Sequence, residues 1–260
     1  MVNTDIRELA RKYETKDFIV GDPSWFMHQV DSELDREVLA FVASCLSYGS
    51  RSQFMRKIQF LLDCSRQRSM GFCEWVKSGA FKEDVPNDDA RCFYRLYTFS
   101  TMYTMLSALQ EMLVQYGSIK EYVVKSANSG GAVQMCDGKL SCLDAVKAIV
   151  TFFAAKGIEG IVPKNTQSSC KRICMFLRWM VRDNSPVDLG LWSDIIDKRT
   201  LIIPMDTHVL QEAGRLGLIK SKTASMTSAI RLTERLLEIF PDDPLKGDFA
   251  LFGVGVDQEA

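Results

Sequence analysis

Apolar residues recur at intervals of three and four along most of the chain. The spacing is clear at Leu34, Val38 and Phe41, and again at Phe54 and Ile58. It places the apolar side chains on one face of an amphipathic helix. Apart from short apolar runs at 161–163 and 201–204, little of the sequence favours strands. The sequence therefore predicts an all-α fold.

Further helices follow from the same spacing and from residues that end helices. The longest is predicted from about Phe99 to Tyr116, with Gly117 as its C-terminal cap. Residues 126–139 are rich in glycine and serine and are predicted to form a surface loop. The remaining helices are predicted near residues 143–153, 170–182, 206–217, 224–240 and 244–255.

Composition limits the classes of function. Hydrophobic residues make up 47% and charged residues 25% of the 260 residues, as in a globular protein with a large core. The formal net charge is -1, so a polyanionic partner would need a local basic patch. The N-terminal residues include no apolar signal segment, and no segment offers about 18 uninterrupted apolar residues. We therefore expect a cytoplasmic protein that does not enter a membrane.

The spacing of the 8 cysteines argues against a metal centre. They form no C-x-x-C pair, and the chain after Cys174 contains no cysteine. Most of them lie in apolar helical patterns, which predicts reduced thiols in the core. Metal and iron–sulfur sites need clustered ligands. We therefore expect no metal, no iron–sulfur cluster and no other cofactor.

Lys171 and Asp206 are the candidates for chemistry. Lys171 lies in the first turns of a predicted helix if Thr166 or Ser168 is the cap. The positive end of the helix dipole favours the neutral amine, which can attack a carbonyl carbon. Asp206 follows Pro204 and precedes a helix whose exposed N–H groups can donate to its carboxylate. Each residue also has a plain structural interpretation, the lysine as solvated surface and the aspartate as a helix cap.

Basic residues suggest a surface for phosphate groups. Helical spacing puts Arg178 and Arg182 on the face of Lys171, with Arg172 beside it. Such a stripe can follow a phosphate backbone, or it can be the solvated side of an amphipathic helix. Arg51 stands at the start of another predicted helix, where an anion can bind. We select Arg51, Arg172, Arg178 and Arg182 as candidate binding residues.

Three stretches of the chain occur in a characteristic order. They read VASCLSYGSRSQ, SCKRICMFLRWM and IIPMDTHVLQEAGRL. In this order they resemble the helix-hairpin-helix superfamily of DNA glycosylases, in particular endonuclease III and the archaeal 8-oxoguanine glycosylases. The resemblance covers residues 31–255. The chain is also similar to a poorly characterised bacterial branch without an iron–sulfur cluster, which has the same C-K-R-x-x-M-F-L-R-W-M-V-R run.

The resemblance implies a two-lobed helical fold with a cleft between the lobes. The whole chain, 1–260, would form one glycosylase-like unit. A central lobe would comprise residues 30–184, and the second lobe residues 1–29 together with 185–260. Lys171 and Asp206 would face each other across the cleft.

The resemblance also implies base-excision repair by a DNA glycosylase with abasic-site lyase activity. Lys171 matches the family's Schiff-base lysine, and Asp206 matches its catalytic aspartate. The implied partner is double-stranded DNA with a damaged or abasic site, in particular an oxidised purine such as 8-oxoguanine. The four arginines would then bind DNA, and the protein would act as a monomer.

The chain departs from this superfamily in two places. The family's phosphate-binding L-P-G-V-G hairpin corresponds here to IVPKNTQSSCK, and Gly49 replaces a glutamine that contacts the target base or its partner. One alternative is a non-catalytic scaffold that keeps the fold. It would bind nucleic acid or protein through the face of Lys171, Arg172, Arg178 and Arg182. Another is action on RNA or a free nucleoside.

Overall fold

The computed structural model describes residues 5–129, 138–158 and 160–259. The protein is mostly helical, which confirms the predicted all-α class. Contacts between Cα atoms divide it into two compact units. The terminal unit comprises Met1–Val20, Ala132–Lys147 and Asn165–Ala260. The middle unit comprises Gly21–Gly131 and Ala148–Lys164.

Helices follow one another along nearly the whole chain. The α-helices are α1 (Ile6–Tyr13), α2 (Glu33–Leu46), α3 (Arg51–Gln67), α4 (Phe72–Lys77), α5 (Phe81–Asp84), α6 (Phe99–Tyr116), α7 (Ile119–Ser129), α8 (Cys142–Ala155), α9 (Lys171–Val181), α10 (Thr207–Arg215), α11 (Met226–Ile239) and α12 (Lys246–Glu259). Short 3-10 helices occupy Lys16–Ile19, Pro23–His28 and Lys198–Thr200. The strands β1 (Cys92–Tyr94) and β2 (Tyr97–Thr98) form an antiparallel hairpin.

The helices predicted from long apolar patterns are present. Gly117 adopts φ 92 as the C-cap of α6, and its N–H donates to the Leu113 carbonyl at 3.0 Å. The sequence did not predict α1, α4, α5, α7 or the hairpin, and most of these are too short to show a clear period. Residues 126–129 of the predicted loop belong to α7, and residues 130–137 lie outside the described ranges.

Helix α2 provides much of the core of the middle unit. Ten consecutive residues, from Glu37 to Leu46, are buried. The carboxylate of Glu37 accepts hydrogen bonds from the N–H groups of Ile119 at 2.8 Å and Lys120 at 3.2 Å. This buried acid therefore has a structural role, because it satisfies N–H groups at the start of α7.

A buried cluster of charges holds the terminal unit together. Arg182, whose side chain is 1% exposed, pairs with Glu14 at 2.6 Å, Asp188 at 2.5 Å and Asp243 at 2.8 Å. Arg178 pairs with Asp188 at 3.3 Å and with Asp248 at 2.6 Å. We call these six residues the buried ion cluster. The cluster connects the C-terminal half of α9 to Glu14, which follows α1, to Asp243, which precedes α12, and to Asp248 within α12.

The prediction that Arg178 and Arg182 line a solvated basic stripe is wrong. Both guanidinium groups lie inside the core, because the carboxylates of the buried ion cluster compensate their charge there. Residues 165–184 accordingly belong to the terminal unit, whereas the resemblance implied that they belong to a central lobe of residues 30–184. Arg172 is partly exposed and Arg51 is exposed, so for these two DNA binding stays a prediction.

The described cysteines are free thiols, and all but one of them are buried, as the sequence predicts. Cys45, Cys64, Cys73, Cys142, Cys170 and Cys174 are buried and unbridged. Cys92, in β1, is exposed, and Cys136 lies outside the described residues. In the part of the chain that the structure describes, no helix is both long and apolar enough to cross a membrane.

Candidate active site

Lys171 is the first residue of α9. The N-cap is Cys170, in the left-handed conformation at φ 47 and ψ 35, and its side chain makes no capping hydrogen bond. The expectation that Thr166 or Ser168 caps this helix is therefore wrong. Lys171 lies at the N-terminal end of α9, where the first backbone N–H groups have no acceptor within the helix.

A hydrogen bond ties the start of α9 to the segment before α10. The Ser169 hydroxyl donates to the carbonyl oxygen of Met205 at 2.7 Å, and both residues are buried. Ser169 precedes Lys171 by two positions, and Met205 directly precedes Asp206. This contact therefore fixes the two backbone segments that carry the candidate residues.

Asp206 is the N-cap of α10, as predicted from the sequence. Its Oδ1 atom accepts a hydrogen bond from the N–H of Val209 at 2.8 Å. The residues before it, 201–205, are buried and anchor the start of the helix in the core. One carboxylate oxygen is thus used by the cap, and the other is directed elsewhere.

The second oxygen of Asp206 contacts Lys171. Lys171 Nζ lies 2.6 Å from Asp206 Oδ2, and each side chain is 37% exposed. The two residues are 35 positions apart in the chain and both belong to the terminal unit. The resemblance implied that each would come from a different lobe. The pair is therefore in contact, as expected, but within one unit.

The charges around the pair keep Asp206 ionised. Burial alone would raise the pKa of this carboxyl, but the Lys171 ammonium, the Val209 N–H and His208 outweigh it and lower the pKa. Burial raises the pKa of Asp248, and the positive charges of Arg178 and Lys171 oppose that rise. Lys171 thus lies in the field of two carboxyl groups, one in direct contact and one in the buried ion cluster.

This arrangement can support nucleophilic chemistry with proton transfer. A lysine amine can attack an electrophilic carbon, and a carboxylate 2.6 Å away can accept its proton. In the described residues, no group of three or more His, Cys, Asp and Glu side chains is arranged to hold a metal ion. The pair of Lys171 and Asp206 is therefore the candidate active site.

Most of the chain matches a known protein family. A family model described as "Protein of unknown function (DUF2400)" matches residues 22–257. The chain belongs to this family. The part that matches DUF2400 includes both members of the pair and all of α9 and α10. No curated protein and no solved structure matches the chain.

Sequence reasoning missed two residues that support the site in this DUF2400 protein. Ser169 looked equivalent to its neighbour Ser168, because nothing in the sequence shows which serine faces the Met205 carbonyl. Asp248 appeared as an ordinary acid in the last helix. Only the fold brings it to Arg178 and into the field of Lys171.

The lowered pKa of Asp206 predicts how stability depends on pH. A depressed pKa means that the charged form stabilises the fold above the unfolded-state pKa of about 3.9, and that this contribution disappears as the pH falls through the folded-state value. Around neutral pH, the free energy of unfolding of the wild type should therefore exceed that of Asp206→Asn by an amount that does not change with pH. We expect under about 1 kcal/mol, because water screens a pair this exposed.

Urea unfolding of both proteins between neutral pH and pH 3 measures this difference. It should shrink below about pH 4. The buried ion cluster is common to both proteins, so its titration cancels in the comparison. A difference that stays constant down to the lowest pH would contradict the lowered pKa.

Proposed function

We propose that this DUF2400 protein is a DNA glycosylase with abasic-site lyase activity. The observation that carries the proposal is the contact of 2.6 Å between Lys171 Nζ and Asp206 Oδ2. Each side chain of the pair is 37% exposed, and the lowered pKa of the Asp206 carboxyl keeps it ionised in spite of its partial burial. The resemblance to the helix-hairpin-helix glycosylases supplies the substrate class, which is double-stranded DNA with an oxidised purine such as 8-oxoguanine.

In the excision step the Lys171 amine attacks C1′ of the flipped-out nucleotide. The C1′–N bond breaks, and its electron pair leaves with the base, which takes up a proton from water. The Asp206 carboxylate stabilises the positive charge that develops on the sugar, and it then accepts the proton that the Lys171 nitrogen loses after bonding to C1′. The products are the free base and a sugar attached to Lys171.

In the lyase step the C1′–O4′ bond breaks, and O4′ takes the proton from Asp206. Lys171 and C1′ are then joined by an iminium bond. Water takes a proton from C2′, and the electron pair of that C–H bond forms a C2′=C3′ double bond. The C3′–O bond breaks, the phosphate leaves with its electron pair, and the strand is cut. Hydrolysis of the remaining iminium by water regenerates the Lys171 amine.

DNA binding must come from local contacts in this scheme. The net charge is -1, and two of the four candidate arginines are buried. Arg172 beside Lys171 and Arg51 at the start of α3 remain the proposed phosphate contacts. The non-catalytic alternative used the face of Lys171, Arg172, Arg178 and Arg182, and of these only Lys171 and Arg172 are accessible. A monomer located in the cytoplasm remains part of the proposal.

Borohydride trapping tests the chemistry. Borohydride reduces an iminium to a stable amine, so the wild type should become covalently linked to a duplex with an abasic site or with 8-oxoguanine. Lys171→Gln should form no adduct. Lys198→Gln is the matched control, because Lys198 forms a similar pair with Asp183 at 2.5 Å in the same unit. That variant should trap as the wild type does.

The outcomes are separable. Absence of any adduct on either duplex, from a folded protein that binds them, would contradict the proposal. An adduct that survives in Lys171→Gln would place the chemistry on another amine. The duplex that traps fastest identifies the preferred substrate.

A further inference from the structure

A cavity of about 510 Å³ lies in the middle unit between α3 and β1. One wall is a single face of α3, because Gln53, Arg56, Lys57 and Phe60 follow helical spacing. The other wall is formed by the hairpin, chiefly by residues 92–95. We call this space the α3–β1 cavity. Its size is in the range of small-molecule sites.

The α3–β1 cavity is positively charged. Arg56 and Lys57 contribute from α3, and Arg95 contributes from the hairpin. None of the described residues that line the cavity is acidic. Three cations around a cleft without a carboxylate attract an anion, and the arginine guanidinium matches the geometry of a phosphate.

The Arg95 side chain extends from the turn of the hairpin towards Tyr48 and Gly49. Arg95 and Leu96 form the two-residue turn of the hairpin, and Arg95 has φ 52, a conformation that non-glycine residues rarely adopt. Its guanidinium lies 5.5 Å from the centroid of the Tyr48 ring. A Cβ atom on Gly49 would clash with this guanidinium. Gly49 therefore leaves space for Arg95 where the glycosylases have a glutamine.

The cavity also offers an aromatic surface. The ring of Phe60 is 38% exposed, and its centroid lies 6.0 Å from that of Phe93. Lys57 Nζ lies 5.2 Å from the centroid of the Phe93 ring, so its charge is held next to the aromatic wall. An exposed aromatic ring beside cations suits a ligand that has both a planar ring and a negative charge.

We propose that the α3–β1 cavity binds a nucleotide unit. Its phosphate pairs with Arg56, Lys57 and Arg95, and its base stacks on Phe60. The unit belongs either to a free nucleotide or to a nucleic-acid strand. This inference does not rest on the lyase proposal, because Lys171 and Asp206 belong to the other unit and do not line the cavity.

Cys92 provides a direct reporter of occupancy. It lines the cavity and is exposed, whereas the other described cysteines are buried. In a Cys136→Ser background, the rate of Cys92 alkylation is measured with thymidine monophosphate, an oligothymidylate or inorganic phosphate. A ligand at about nine times its Kd should slow labelling about tenfold, because only the empty tenth reacts. Protection by the mononucleotide or by the oligonucleotide supports the proposal and distinguishes the two sources.

Charge variants provide the second measurement. Arg56→Ala combined with Arg95→Ala should weaken oligothymidylate binding at least about tenfold and lower the salt slope by about 1.4, for two lost contacts to a single strand. If only the mononucleotide binds, its protection of Cys92 should weaken in the same variant. Lys77→Ala is the control, because Lys77 is an exposed cation of the same unit outside the cavity.

Three results would overturn the assignment. The first is that no nucleotide protects Cys92 in the folded protein. The second is that inorganic phosphate protects as well as the mononucleotide, which would leave an anion site without base recognition. The third is an equal loss of binding in Lys77→Ala, which would indicate general electrostatic attraction. Each of these is independent of whether Lys171 forms a covalent adduct.

Discussion

Replacing Arg182 with methionine is expected to lower the free energy of unfolding by about 3–5 kcal/mol. The guanidinium is 1% exposed and pairs with three carboxylates, those of Glu14, Asp188 and Asp243. Methionine fills part of the space but removes the cation that Glu14 and Asp243 face, and it leaves Asp188 with Arg178 alone. A buried uncompensated charge is strongly unfavourable. Urea unfolding followed by circular dichroism measures the loss.

Two further variants separate the charge from the packing. Arg182→Lys keeps the charge but cannot reach three carboxylates with one ammonium, so its stability should be intermediate. Arg235→Met is the control, because Arg235 pairs with Glu238 on the surface, where both side chains are more than half exposed. Its effect should stay within about 0.5 kcal/mol. An Arg182→Met protein as stable as Arg235→Met would show that the buried ion cluster contributes nothing.

Asp206→Asn is expected to slow excision of 8-oxoguanine by about 10²- to 10⁴-fold. Asparagine is as good an N-cap as aspartate, so the hydrogen bond to Val209 and the start of α10 should survive. The substitution removes only the negative charge and the proton acceptor next to Lys171. The loss should therefore appear in the chemical step, measured by single-turnover release of the base.

The same variant should be affected less on a preformed abasic site. There the base is already gone, so the Lys171 amine needs only to condense with the open sugar, and borohydride trapping should still occur. Asp5→Asn is the control, because Asp5 is also an N-cap aspartate of the terminal unit, capping α1 through the N–H of Arg7 at 2.8 Å. Equal losses in excision and trapping would argue against a role for Asp206 in departure of the base.

Local patterns were sufficient for the long helices and for two of the caps. Gly117 and Asp206 were both identified from their positions next to apolar periods, because capping depends on residues close in sequence. The cap of α9 was not predicted correctly. The N-cap is Cys170, whose side chain makes no capping hydrogen bond, so the sequence contains no capping side chain that marks this helix start. The β1–β2 hairpin was missed because its strands have only three and two residues.

The arginines of α9 show why charge placement could not be predicted. A helical wheel gives the same pattern for a solvated basic stripe and for buried arginines that meet distant acids. The partners of Arg182 lie at residues 14, 188 and 243, and only tertiary structure brings them together. Lys171 and Asp206 are 35 residues apart, and this separation alone does not predict a contact. The contact was expected only because of the resemblance to the glycosylases.

The division of the chain has a consequence for the order of events during synthesis on the ribosome. The middle unit is complete once residue 164 has emerged, so it can fold while the rest of the chain is still being made. Helix α1 precedes the middle unit in the chain but packs mainly against α12, which follows that unit. Arg182 pairs with both Glu14 and Asp243, so its set of ion pairs is complete only after Asp243 has emerged. The residues proposed for catalysis therefore acquire their final environment only after α12 has emerged.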